Sequence, residues 1–154
     1  VDDDLRELLE DGVAIVLGTR DADLVPEVAR GWGVRVLPDR TTVELCVGLP
    51  STRRTLANLA ANGQLAVTCV RPSDYRQVQL KGRLLATLPP AAEDRAWLER
   101  HQRAFTSQVA GVGIAAALAP RFWNHDDPEA MVKIRFAIEE AYDQTPGPEA
   151  GRKM

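Results

Sequence analysis

Apolar and polar positions change their period several times along the chain, and each change marks an element. Asp2 to Asp4 lead into LRELLEDG, where acids stand in a first turn, Leu5, Leu8 and Leu9 share one stripe, and Gly12 is the stop. That pattern predicts a short amphipathic helix. VAIVLGT (13–19) is β-rich, Asp21, Ala22 and Asp23 turn the chain into an extended stretch over about 24–37, and Pro38, Asp39 and Arg40 turn it again into TTVELCVG (41–48). Connections this short hold no helical crossover, so the strands pair antiparallel. STRRTLANLAANG has Leu56 and Leu59 at i, i+3 spacing, Ser or Thr at its head and Asn62-Gly63 at its tail, which predicts a capped short helix. QLAVTCV (64–70) returns to strand, residues 71–74 turn, and a fifth strand runs over about 75–88.

Pro89-Pro90 ends the sheet region. Residues from about 92–118 read as helical, with Trp97, Leu98 and Phe105 as packing residues, Gly111 and Gly113 as a break between two helices, and Pro120 as the close. After Asp126, Asp127 and Pro128 a last strand, about 131–142, alternates Val132, Ile134, Phe136 and Ile138 against Lys133, Arg135 and Glu139. The tail, about 143–154, is rich in Pro and Gly, and there is no internal repeat. The expected architecture is mainly β with helices (α+β), a six-stranded antiparallel barrel of Greek-key or up-and-down order with a helical insertion. At 154 residues this is a single domain, 1–154.

Charge narrows the partners. A formal net charge of −3 gives no general attraction to nucleic acid, so any anion binding is local. Cys46 and Cys69 have neither disulfide-framework nor metal spacing and read as small apolar core residues. His101 on a helix and His125 beside Asp126 and Asp127 lack a third ligand, so no metal site is expected. No apolar run spans a bilayer and no charged-then-apolar leader is present, which reads as cytoplasmic; a start at Val1 instead of Met marks a trimmed chain and leaves room for a leader upstream.

Three stretches carry candidate chemistry. In Ser51-Thr52-Arg53-Arg54-Thr55, a cap at Ser51 or Thr52 would put both arginines in a first turn, where the helix dipole disfavours cations. An anion bound there resolves the conflict, since backbone N–H groups, hydroxyls and two guanidinium forks converge as a phosphate requires; the alternative is a solvated pair reaching for acids elsewhere. In YRQVQLKG (75–82), alternation puts Tyr75, Gln77, Gln79 and Lys81 on one face and Arg76, Val78 and Leu80 on the other, so two amides and an ammonium face either water or a ligand. Gly31-Trp32-Gly33 flanks an aromatic with free backbone in mid-strand, as a bulge near a flat ligand or as a dimer contact.

Taken in order, VPEVARGWGVRV, a strand ending in Val47-Gly48, STRRTLANLAANGQLAV and YRQVQLKG resemble the FMN-binding split-barrel family typified by pyridoxamine 5'-phosphate oxidase, over roughly residues 10–88. Arg53-Arg54 resembles that family's Ser-Arg-Lys phosphate motif, and Arg76-Gln77-Val78 its Arg-Gln-Val strand, whose glutamine contacts the flavin from the partner subunit. Arg30 and Arg35 keep the family's arginine-to-lysine spacing, an odd offset that needs a bulge to put both on one face. Tyr142 and Arg152 keep the spacing of a C-terminal Trp and Arg that flank the flavin. The resemblance therefore implies cofactor contacts at Arg30, Arg35, Val47, Gly48, Ser51, Arg53, Arg54, Gln77, Gln79, Tyr142 and Arg152, with Lys81 at the rim.

It further implies an FMN-dependent oxidoreductase acting on a small-molecule substrate as a homodimer with a shared cofactor site. The Arg-Leu-His-Asp-Arg run that grips pyridoxamine phosphate is missing, replaced by residues 146–151, so the chain is not expected to be that oxidase itself. A deazaflavin coenzyme on the same fold, and a non-catalytic flavin- or haem-binding module, are the alternatives. Haem needs an axial ligand, and neither histidine lies in the barrel stretch.

Overall fold

The computed structural model describes residues 1–49, 52–118 and 130–154. In chain order the elements are α1 (Asp3–Glu10), β1 (Ala14–Arg20), β2 (Pro26–Val36), β3 (Thr42–Gly48), α2 (Arg53–Asn62), β4 (Gln64–Val70), β5 (Gln77–Leu88), α3 (Ala92–Gly111), a 3-10 turn (Ala116–Leu118) and β6 (Met131–Asp143). The strands close into an antiparallel barrel in the order β1-β2-β3-β6-β5-β4, with β6 returning between β3 and β5 as a Greek key does. The six strands and their antiparallel sense are as the alternation predicts.

Alternation sends Ile15, Leu17, Val43, Leu45, Val47, Val67, Leu80, Ile134 and Phe136 into the barrel, where each is essentially inaccessible. Leu5, Leu8 and Leu9 of α1 close the end where β1 begins, and the Asp2 carboxylate caps that helix by accepting from Leu5 N at 2.9 Å. At the other end Leu59 of α2 enters the core, Asn58 Nδ2 donates to Thr19 Oγ1 at 3.2 Å, and Asn62 Nδ2 donates to the Arg20 carbonyl at 2.8 Å.

Two bulges decide which side chains face outward. On β2, Gly31 pairs with Val47 and Trp32 with Cys46, but Val34 pairs with Leu45, so Gly33 is the extra residue; its φ of 68° is one that glycine adopts without strain. Ala29 and Gly31 face inward before the bulge, and Val34 and Val36 after it. Arg30, Trp32 and Arg35 thereby share the outer face, as the odd spacing requires. On β6, Lys81 pairs with Glu140 but Gly82 with Ile138, leaving Glu139 unpaired. Unbroken alternation from Ile138 would point Tyr142 inward; the bulge puts it outside, opposite Gln79.

Helix α3 lies on the outer surface. Trp97 packs on Trp32, Cys46 and Met131, with Leu98 beside them, and Phe105 and Val109 continue the contact. The approach is close enough that a Cβ on Gly12 would stand 2.3 Å from Phe105 N, so Gly12 ends α1 and also makes room for α3. Under the start of α3 runs a buried ion network. Arg135 donates to Glu44 at 2.7 and 2.8 Å, Arg35 bridges Glu44 and Asp94 (2.7 Å to the latter), and Lys133 Nζ donates to Asp94 at 2.6 Å. Burial alone would raise the pKa of Glu44, but hydrogen bonds from Arg135 and Arg35 outweigh it and hold the carboxyl below its ordinary range. Asp94 behaves alike: burial opposes ionisation, and Lys133, the Ala91 N–H and Arg35 prevail.

Two local expectations are revised. The fifth strand starts at Gln77: Tyr75 sits in a turn at φ 59°, and Arg76, expected beside Val78 and Leu80, pairs with Asp4 instead. Beyond the break at Gly111–Gly113 there is a single 3-10 turn where a second helix was expected, while Pro120, His125, Asp126, Asp127 and Pro128 lie outside the described residues. The tail folds back on the barrel. Gly151 N donates to the Asp143 carbonyl at 2.7 Å, Met154 N donates to the Ala141 carbonyl at 2.9 Å, and Lys153 bridges Tyr142, covering the edge of β6 beyond β3.

Candidate cofactor-binding site

The N-terminal turn of α2 is built against the ends of β3 and β2. Thr52 occupies the cap position, but its hydroxyl donates to the Gly48 carbonyl at 2.6 Å and makes no bond to the helix. No acid stands in the first turn. Arg54 reaches across to Glu27 of β2 at 3.4 Å with its side chain 65% exposed, and Arg53 has no ion-pair partner among the described residues. The Thr55 hydroxyl, buried beneath the same turn, has no hydrogen-bond partner among the described residues. Among the described residues nothing caps the first-turn N–H groups, so they keep their capacity for an acceptor, with two guanidinium groups alongside. Gly48 adjoins this turn through Thr52; the Val47 side chain points into the core, so only its backbone is on this side. Ser51 lies outside the described residues.

Arg30 stands on the outer face with its guanidinium 4.5 Å from the Trp32 ring centroid and 5.8 Å from that of Phe105. Burial against these rings lowers its pKa. Arg35 lies under α3, stacked 4.2 Å from the Trp97 ring and committed to Glu44 and Asp94. The two arginines share a face but have different partners.

The amide row is on the same outer surface, further round the barrel. Cross-strand partners run Arg30 to Val16, Val16 to Thr68, Thr68 to Gln79 and Gln79 to Tyr142. Gln79 Nε2 donates to Thr68 Oγ1 at 3.3 Å, which fixes the amide and leaves its carbonyl oxygen outward. The Gln77 backbone is tied to the tail, its N–H donating to Thr145 Oγ1 at 3.1 Å and its carbonyl accepting from Gln144 N at 3.0 Å. Lys81 Nζ lies 4.7 Å from the Tyr142 ring centroid, and Tyr142 OH and Lys153 Nζ both donate to Glu140, at 3.0 and 2.7 Å. Arg152, predicted to flank the cofactor with Tyr142, pairs with Glu149 at 2.9 Å and approaches Asp143 at 4.0 Å, so its neighbour Lys153 is the tail cation on the tyrosine's face.

An open groove of about 380 Å³ runs beside this row, lined by Gly18, Arg20, Gln64, Ala66, Lys81 and Glu140 among others. Val16 and Val28 on the same surface are 44% and 65% exposed. Thr68, Glu140 and Lys153 escaped the sequence reading because their relevance depends on cross-strand register. Burial pushes both cysteine thiols up to about 12, so neither is a nucleophile. Among the described residues no group of three or more His, Cys, Asp or Glu is placed to hold a metal ion, and no helix is long and apolar enough to cross a membrane.

No protein-family model matches the chain, and no curated protein does. Solved structures do. An F420 reductase superposes with a TM-score of 0.59 at 17% identity, over 92% of this chain and 98% of its own. A putative pyridoxamine 5'-phosphate oxidase from Lactobacillus delbrueckii gives 0.55 at 13%, over 92% and 93%. An FMN-binding protein from Syntrophomonas wolfei subsp. wolfei gives 0.53 at 15%, over 88% and 80%. At these identities the shared property is the fold: the barrel of this chain is that of the FMN-binding, pyridoxamine 5'-phosphate oxidase-like split-barrel proteins.

Proposed function

We propose that the chain binds a flavin-type cofactor, FMN first, and acts as an oxidoreductase on a small molecule. The observation that carries this reading is the α2 N-terminus, where two arginines crowd a turn with no side-chain cap and no acid, on a fold shared with an FMN-binding protein. These residues fit a terminal phosphate: Arg53 and Arg54 offer charge-assisted hydrogen bonds, and the free first-turn N–H groups complete the cradle. Arg30 adds positive charge at the adjoining end of β2. When bound, a flavin supplies the hydride chemistry; the protein's part is to anchor, orient and hydrogen-bond it. Gln77, Gln79 and Tyr142 provide the polar, aromatic surface suited to a flat ring, and Lys81 and Lys153 frame it.

One protomer separates the two halves of this site. From Arg30 to Gln79 there are three strand spacings, about 14 Å around a curved surface. A homodimer that sets the amides of one copy over the arginines of the other brings them together, with the exposed Val16 and Val28 as apolar contact area. The shared fold with an F420 reductase supports a second reading, a deazaflavin coenzyme held through the same arginines.

The absorbance spectrum of the purified protein separates oxidised flavin, deazaflavin, haem and no chromophore. Titration then tests the anchor: Arg54→Ala is expected to weaken FMN about ten- to a hundredfold, from the loss of one charge-assisted hydrogen bond, while leaving riboflavin, which lacks the phosphate, almost unchanged. Equal losses for both ligands would remove the phosphate assignment.

A further inference from the structure

We propose that the cleft between α1, β2 and α3 is a second ligand site, one that takes a small organic anion, a carboxylate with an apolar body. The cleft has a volume of about 390 Å³, within the range of small-molecule pockets, and Arg35 and Trp97 line it with Arg6, Glu10, Arg100 and Ala104. Its charge is unbalanced. The network at its base joins three cations, Arg35, Lys133 and Arg135, to two anions, Glu44 and Asp94, and so carries one positive charge in excess. Arg6 and Glu10 cancel at the rim, 3.3 Å apart, and Arg100 has no acidic partner among the described residues.

Arg35 is the residue on which a carboxylate would seat. Its Nε and Nη2 are spent on Glu44 and Asp94, and Nη1 makes none of these bonds. The guanidinium plane is held by the Trp97 face at 4.2 Å and the Arg35 side chain is 27% exposed, so the free edge is oriented before any ligand arrives. Arg100, exposed on the next turn of α3, supplies a second cation without repacking, while Trp97 and Ala104 offer apolar wall. His101, buried behind them and neutral near pH 7, contributes no competing charge. An anion here neutralises the excess charge of the network, whereas a cation meets repulsion.

The test is a titration of the full chain with sodium benzoate, followed by the Trp97 indole N–H resonance, whose donor nitrogen lies 3.4 Å from the Val34 carbonyl. The peak is assigned with Trp97→Phe. Benzoate is expected to move it saturably with a Kd on the order of 1 mM, fitting so small a ligand. Benzylamine, of similar size and opposite charge, leaves it in place. Arg100→Glu alters only an exposed side chain, so its ligand-free spectrum reports an intact fold, and it is expected to weaken benzoate by about tenfold or more. Benzylamine acting as well as benzoate, no saturation, or unchanged affinity in Arg100→Glu would each overturn the proposal. None of these outcomes depends on a flavin being bound.

Discussion

Acidification from pH 7 to pH 4 is expected to cost the fold about 3 kcal/mol through His101 alone. The side chain is 5% exposed between α3 and the start of β1. Burial lowers its pKa from 6.5 to about 4, against a smaller upward pull from a hydrogen bond with the Val13 backbone. In the unfolded chain the imidazole takes its proton near 6.5, while the folded protein keeps it neutral until about pH 4. Between those values the unfolded state holds more protons, so stability falls as pH falls, by about 1.4 kcal/mol per unit. Above 6.5 both states are neutral and below 4 both are protonated, so the slope vanishes outside the window. Glu44 and Asp94, whose pKa values are lowered, contribute stability that begins to be lost near their ordinary values of 4.5 and 3.8, at the acid end of this range. Urea unfolding at half-unit steps from pH 7.5 to 4.5 measures the slope, and the same series on His101→Gln subtracts His125, which both proteins carry. A wild-type profile flat across this range, or a slope that survives in the variant, would refute the buried-neutral assignment.

Two further outcomes are expected. Asp94→Asn keeps an acceptor for the Ala91 N–H but leaves Lys133, whose side chain is 8% exposed, without its counter-charge, so urea unfolding should show a loss of about 3 kcal/mol or more with the m-value unchanged. Deleting residues 145–154 leaves the barrel folded but uncovers the edge of β6 at Ala141 and Asp143; light scattering should then report concentration-dependent association, and FMN affinity should drop with the loss of Lys153.

The barrel was legible because its strands alternate over most of their length and its turns carry the residues that turns require. Where the reading failed, a contact that alternation does not encode had overridden strand preference. Tyr75 and Arg76 have strand-like neighbours, yet Tyr75 N bonds to the Arg71 carbonyl at 3.0 Å in a turn, and Arg76 is drawn to Asp4 on α1. The bulge at Glu139 has no local signature; only pairing with Lys81 and Gly82 shows that the phase of β6 changes there, and the outward position of Tyr142 depends on it. The ion network did leave a trace, since Glu44 interrupts an otherwise apolar strand, TVELCVG. Its partners come from β2, α3 and β6, up to 91 residues away, and spacing cannot name them.

The α2 N-terminus differs, because there the anomaly in the sequence survives folding. Two cations at the positive end of a helix cost a few tenths of a kcal/mol or more, and the ordinary remedies are a side-chain cap or nearby acids. Thr52 spends its hydroxyl on Gly48, and the first turn holds no acid. What remains is the exposed contact of Arg54 with Glu27, and such pairs are worth about 0–1 kcal/mol. Folding therefore offsets, among the described residues, part of the cost of Arg54 and none of the cost of Arg53. Among the described residues, stability does not account for arginine at both positions; the phosphate site proposed above would, since the same charges, N–H groups and exposure that are unfavourable for the helix are what a phosphate needs.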